Sequence, residues 1–526
     1  MAATQTLVPS TVGNRQPQKS RAAAPFLLTA ALTLVAVLIH GYHPYAEDGG
    51  IYLPGIFKLL HPELYPAWTG FVTAQTRFSL FAPMMAILVR TTGVGVMTCM
   101  FWVYVLSIWG TLHASWLIAS RCVGNIEARC GAVVVFCLCM TMPAAGTSLL
   151  LVDPYVTARS LSTPLGLLAI LGTLDLLSEF RQTGRLRLRS LGLPMAGLVF
   201  AILMHPLMGS YTACCLATLV CASIPNRLVR NASLAGVLLF ALLAATLVNG
   251  LAPAQPAGYA AVAQTRSYWF LSAWQWYEIV GLVAPLLLVW AIAEKAATLS
   301  DCGRWMARMA VWAGLAVIAV SLTFAHANAH NYFVAMLQPL RIFHTVYIVL
   351  ILLSGALLAK VFLERDPVRW TATFLVLGAL MFFVQIRTFP HSSHIELPGL
   401  AASNDWEQGF LWIRNTTPKD ALFALDPHYI EGEGEDSQNF RAIAERSAIP
   451  DITKDGGIAA VAPALTPAWM SGKAIDSDLA TASDDRRLSK LAPAHVRWIV
   501  LPSKSETRFP CPYQNREMKV CQVPLF

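Results

Sequence analysis

The stretch "SLFAPMMAILVRTTG", residues 79–93, decides how the chain is threaded. Its apolar part, 79–89, is about half the roughly 20 residues that cross a bilayer as a helix, and Arg90 with Thr-Thr-Gly closes it. Suppose it lies in the membrane plane and the N-terminus is cytoplasmic. The connections 120–130 (Arg121, Arg129), 178–191 (Arg181, Arg185, Arg187, Arg189), 225–231 (Arg227, Arg230), 294–308 (Lys295, Arg304, Arg308) and 360–369 (Lys360, Arg365, Arg369) then all fall inside. That is the side where basic loops collect. If 79–89 crossed, every one of them would lie outside, so the in-plane reading is adopted.

Composition supports a membrane protein. The 526 residues are 56% hydrophobic and only 13% charged, against about 25% charged in an ordinary soluble domain. Candidate spans run at 23–41, 94–119, 131–151, 161–177, 192–208, 210–224, 233–250, 277–293, 309–326, 342–359 and 370–386. The expected fold class is a polytopic α-helical membrane protein of about eleven transmembrane helices with a small α/β C-terminal extracytoplasmic domain. The division is a cytoplasmic tail 1–22, a membrane domain 23–386 with a first outer loop 42–92, and an outer domain 387–526. Arg15, Lys19 and Arg21 precede the first apolar run. That run is long for a signal-peptide core and no small-x-small site follows it, so it reads as an uncleaved first span.

The net charge of +8 comes largely from the short inside loops, and no basic stripe with interleaved aromatics points to nucleic acid. Cys137, Cys139, Cys214, Cys215 and Cys221 lie in apolar runs and read as packing residues. Cys511 and Cys521 stand in the polar C-terminal region, where a disulfide between them is expected outside the cytoplasm. In that region, 406–413 carries apolar residues at helical spacing, "ALFALD" and "VRWIVLP" read as strands, and so does "GIAAVAP". Helices are expected at 438–446 and 484–491.

The outside segments hold the unusual residues. "YAEDGGIYLPG" sets Glu47 and Asp48 directly after the first span, followed by Gly49 and Gly50. A carboxylate fixed near a partly desolvated site can serve as a general base, here Asp48 or Glu47. "LVDPYVTARS" adds Asp153, which also suits an Asx-turn before Pro154, and Arg159, suited to a phosphate. Arg341 in "LQPLRIF" sits at the outer end of a span against the basic-inside trend, where a guanidinium suits a bidentate phosphate contact. Arg266 and Tyr268 share an aromatic-rich outer loop. His205 precedes Pro206 at a tight turn, and His326 and His330 are four apart at a span end without a third ligand in view. The chain has no Walker loop, GxSxG or HExxH, which speaks against a nucleotide-driven pump.

These features together resemble the GT-C superfamily of membrane glycosyltransferases. The resemblance lies in a carboxylate just after the first helix, in-plane helices after it, a second acidic outer loop at Asp153, and an outer domain opening with a Trp-bearing helix, "TPKDA" and "FRAIAERS". It implies transfer of a sugar from a polyprenyl-phosphate-linked donor in the lipid bilayer to a glycan, lipid or protein acceptor on the extracytoplasmic face. Asp48, or Glu47, matches the catalytic carboxylate. Asp153 matches an acid that in metal-dependent members helps bind a divalent cation, Mg or Mn. Arg341 is placed like arginines that hold the donor phosphate, and Arg159, Arg266, His205, His330 and Tyr268 are further substrate-binding candidates. The implied setting is a bacterial inner membrane with a periplasmic C-terminal domain. The first loop reads Glu-Asp-Gly-Gly, and no WWD-type motif occurs, which separates the chain from standard oligosaccharyltransferases. The rival readings are a lipid or solute transporter that uses the same charges for coupling, and a non-catalytic assembly subunit.

Overall fold

Long apolar runs form helices because the backbone must satisfy its own hydrogen bonds where water is absent. The computed structural model describes residues 19–402, 404–430 and 439–524, so most of the N-terminal tail lies outside the described residues. The helices of the first domain are α1 (Lys19–His40), α2 (Gly49–Leu60), α3 (Phe81–Thr92), α4 (Val96–Cys122), α5 (Ile126–Leu138), α6 (Ala158–Thr183), α7 (Gly192–Met204), α8 (Pro206–Ala222), α9 (Arg227–Leu251), α10 (Trp276–Lys295), α11 (Asp301–Phe324), α12 (Phe343–Leu358) and α13 (Pro367–Thr388). Among the described residues, seven helical segments are long and apolar enough to cross a membrane; α1, α2, α3, α7 and α8 are shorter apolar helices.

The expected span 131–151 is wrong in its second half. Helix α5 stops at Leu138, and 139–157 is an irregular hairpin in which Val152 N–H donates to Met140 O at 2.7 Å and Leu151 N–H to Met142 O at 3.1 Å. Leu149, Leu151, Val156 and Thr157 are buried there, so the non-helical backbone is shielded by protein. Glycines let neighbouring helices close up. A Cβ on Gly131 of α5 would come within 2.6 Å of Gly355 O of α12. The Arg-rich connections meet at one end of the bundle, through Arg121–Asp175 (3.0 Å), Arg181–Asp301 (3.0 Å) and Arg365–Glu127 (2.7 Å).

At the other end sits the C-terminal domain. Its longer helices are α14 (Asp405–Thr416), α15 (Lys454–Val461), α16 (Thr466–Asp476) and α17 (Asp484–Leu491). Its strands are β1 (Leu422–Leu425), β2 (Ser447–Ala448), β3 (Trp498–Pro502), β4 (Tyr513–Gln514) and β5 (Met518–Gln522), in the order β2-β1-β3-β5-β4. β1 pairs parallel with β2 and β3, while β5 is antiparallel to β3 and β4. Trp406, Phe410, Phe423 and Val500 form the core under the sheet. The Cys511–Cys521 disulfide is present. "GIAAVAP" belongs to α15 and not to a strand: its apolar face packs on Tyr259 and Trp469, a choice that a run this short leaves open. The expected helix 438–446 is only the short Phe440–Ala444, with 438 outside the described residues.

Candidate functional site

The two domains enclose a cavity of about 1580 Å³ whose walls include Glu47, Asp48, Asp153, Arg159, His205, Arg266, Tyr268 and Arg341. Eight of the ten residues singled out from the sequence therefore reach one space, and His326 and His330 do not. His330 is exposed on a loop.

The first loop is built to separate its two acids. Glu47 has φ of 43°, a left-handed turn uncommon for a residue with a side chain. It directs Glu47 to Lys454 of the C-terminal domain, while Asp48 stands at the N-cap of α2 and faces Arg159. The glycines that follow allow the approach: a Cβ on Gly49 would meet Pro44 O at 2.5 Å, and one on Gly50 would overlap Asn439.

Arg159 lies in the first turn of α6, where Thr157 and Ser160 form a capping box. Its guanidinium bridges two carboxylates, with Nη1 donating to Asp48 Oδ2 at 2.8 Å and Nη2 to Asp153 Oδ2 at 2.9 Å. A backbone bond from His43 N–H to Pro154 O, at 2.7 Å, pins the two acid-bearing loops together. Arg159 and Asp153 are buried, whereas 37% of the Asp48 side chain is open, on the cavity side. Burial alone would raise the Asp48 carboxyl, but Arg159, with help from Lys454 and Arg341, brings it down to about 2. Asp153 moves up instead, because burial and the Asp48 charge outweigh Arg159.

Arg341 follows Gln338, which has φ of 50°, in the 3-10 turn Pro339–Ile342. It lies over the Tyr268 ring at 5.3 Å, a cation–π contact. Its Nε is sealed in protein without a partner, and among the described residues no carboxylate pairs with it. Arg266 is committed to the C-terminal domain, with Nη2 donating to Thr453 O at 3.0 Å. His205 caps α8, its Nδ1 accepting the Met208 N–H at 3.4 Å.

A divalent cation at Asp153 does not fit these residues. The space between the two carboxylates is filled by the Arg159 guanidinium, and among the described residues no group of three or more His, Cys, Asp or Glu side chains is arranged around a metal. His326 is exposed and bonds to Thr323 O at 3.1 Å.

Lys454, Gln75, Glu278 and Arg387 also line the cavity and escaped the sequence reading. Arg387 carries the same signal as Arg341, an arginine at the site end of an apolar helix. Lys454 has no such signal, because its position depends on how the C-terminal domain docks. No protein-family model matches the chain, and no curated protein matches it.

Proposed function

We propose that this is an integral membrane glycosyltransferase of GT-C type, which moves a sugar from a polyprenyl-phosphate-linked donor to an acceptor on the extracytoplasmic face. The proposal includes eleven spans, α2 and α3 lying in the membrane plane, a cytoplasmic N-terminus and a periplasmic C-terminal domain on a bacterial inner membrane. The observation that carries it is the meeting, in one cavity, of the ionised Asp48 held by Arg159 with an Arg341 that has no carboxylate partner among the described residues. An anionic ligand group would complete Arg341, a half-buried guanidinium at the cavity wall with no acidic partner among the described residues.

In the proposed step the acceptor oxygen attacks the anomeric carbon, the carbon–oxygen bond to phosphate breaks, and the polyprenyl phosphate leaves with the electron pair. The acceptor's proton passes by way of Asp48 to solvent. A carboxyl at about 2 is a weak base at rest. Asp48 therefore first orients the acceptor as a hydrogen-bond acceptor and takes the proton late, when the attacking oxygen has become acidic. Glu47, tied to Lys454, holds the domains together and is not the base.

The test is sugar transfer from a polyprenyl-phosphate-linked donor by purified protein in liposomes. Asp48→Asn should lower turnover by about 10²–10⁴-fold, the usual worth of a positioned base. Glu47→Gln should retain most activity. Full activity of Asp48→Asn would sink the reading. Movement of a lipid or solute across the bilayer without a covalent product would replace it with the transporter.

A further inference from the structure

We propose that His205 is a fixed neutral hydrogen-bond donor to the phosphate oxygen of the ligand held by Arg341, and takes no part in proton transfer. The proposal rests on the anion-binding part of the reading above. It adds a residue, a tautomer and a protonation state.

Hydrogen-bond bookkeeping leads to the tautomer. His205 ends α7 and begins α8, with backbone angles that leave the first amides of α8 unpaired. The Met208 N–H donates to Nδ1. A backbone N–H can only donate, so Nδ1 carries no proton and the single ring proton is on Nε2. Nε2 has no acceptor among the described residues and is not sealed in protein, and His205 lines the cavity with Pro206 and Leu207. A donor with nothing to donate to therefore stands at the cavity wall.

Its surroundings keep it that way. The charged groups that face it are Arg159 from α6, Arg341 from the turn before α12, and Asp48 from the first loop. The two guanidiniums share the cavity with the ring, so a positive charge on it would be repelled. A protonated ring would also lose the Met208 bond, because both nitrogens would then donate. The first turn of α8, with Pro206 and Leu207 at the wall, adds the positive end of its dipole. Arg341, the Nε2–H and this helix end are three sources of positive potential around one cavity. The chemistry they share is recognition of a phosphate, free or on a lipid.

Two measurements test the inference. In protein with ¹⁵N-labelled histidine in liposomes, the resonances lost in His205→Gln should show a bare Nδ1 and a protonated Nε2, unchanged from about pH 5 to 8. A proton on Nδ1, or a titration in that range, would overturn the proposal. In the second, dodecyl phosphate and inorganic phosphate are titrated against purified protein and the bound species counted by native mass spectrometry. His205→Leu should weaken dodecyl phosphate about tenfold or more, and His205→Gln, whose amide can still donate, by less than about threefold. Unchanged affinity in His205→Leu would overturn it. If inorganic phosphate binds as well as dodecyl phosphate, the lipid-linked donor falls while the His205 assignment stands. If Asp48→Asn transfers sugar normally, the catalytic reading falls and the tautomer result is untouched.

Discussion

Arg159 is the residue on which the charge state of the cavity depends. It is shared between Asp48 and Asp153, and its fork geometry reaches both at once, which a lysine could not do. Replacing it with glutamine leaves two carboxylates facing each other with no cation between them. Breaking a buried pair in this way typically costs about 3–5 kcal/mol. Part of that cost is avoided by taking up a proton, so the Asp48 carboxyl should move up from about 2. The wild-type rate should then show no acid limb from Asp48 above about pH 4, because the group is ionised throughout. In Arg159→Gln a limb should enter between about pH 4 and 6, alongside a lower maximum rate. Coincident pH–rate profiles for the two proteins would refute the assignment. Asp48 and Arg159 were visible as single residues in the sequence, but their pairing across 111 positions was not. Nothing in "EDGG" or "DPYVTARS" says which acid turns toward the other loop. The positive φ of Glu47 decides it, and that is a property of the folded turn.

At the scale of elements, legibility follows the solvent. Helices in an apolar medium need enough apolar length, and α4, α6, α9, α10, α11, α12 and α13 declared themselves by that rule. The rule says nothing about where protein replaces lipid. Apolar character continues past Leu138, yet the chain leaves the helix, because packed neighbours cover the 139–157 hairpin and its backbone pairs with itself. The outer loop with Asp153 was legible in the sequence, whereas the 139–157 hairpin that carries it showed only once α5 was seen to stop at Leu138. The α2 helix has a second dependence that sequence leaves open, the close seat of Gly50 against Asn439. Asn439 Nδ2 in turn donates to Tyr45 O, so α2, the first loop and the C-terminal domain lock at one point. Gly50→Ala should therefore destabilise by about 1–3 kcal/mol, the usual cost of overpacking. Gly236→Ala on α9, where a Cβ meets nothing, should be neutral or slightly stabilising. Thermal unfolding midpoints of the two variants in detergent check this, and equal midpoints would show that the Asn439 contact gives way freely.

The whole molecule joins two domains through a seam of partly buried carboxyls, and these with a buried one beyond the seam set how the assembly responds to pH. Tyr42 of the first loop bridges to Ile395, and His43 Nδ1 meets Glu396 Oε1 at 2.8 Å. Burial pushes Glu396 up to about 8, and burial together with Glu396 pushes Glu407 up to about 7. Deeper in the C-terminal domain, Asp476 is buried with its Oδ2 unpartnered. Burial, and then Asp451, Asp455 and Asp426, raise it to about 9. Each group holds a proton in the folded state that the unfolded chain has already released above about pH 4–5. Over that interval the folded state binds more protons, so stability falls as pH rises, by up to about 1.4 kcal/mol per pH unit for each group. Burial holds His43 down at about 3, so below about pH 7 the unfolded chain's imidazole proton gives an opposing slope, and the net loss should run from about pH 7 toward 9 and level off once the folded-state carboxyls have ionised. Asp48, shifted the other way, contributes its opposing slope only below about pH 4, outside this window. Unfolding midpoints of the full chain in detergent, taken at one scan rate, should therefore drop between about pH 7 and 9. Asp476→Asn, which keeps the neutral shape at every pH, should flatten the upper part of the drop. A midpoint that rises from pH 7 to 9, or an Asp476→Asn profile that overlays the wild type there, would mean that these carboxyls stay ionised in the folded protein and that the seam is held by charge.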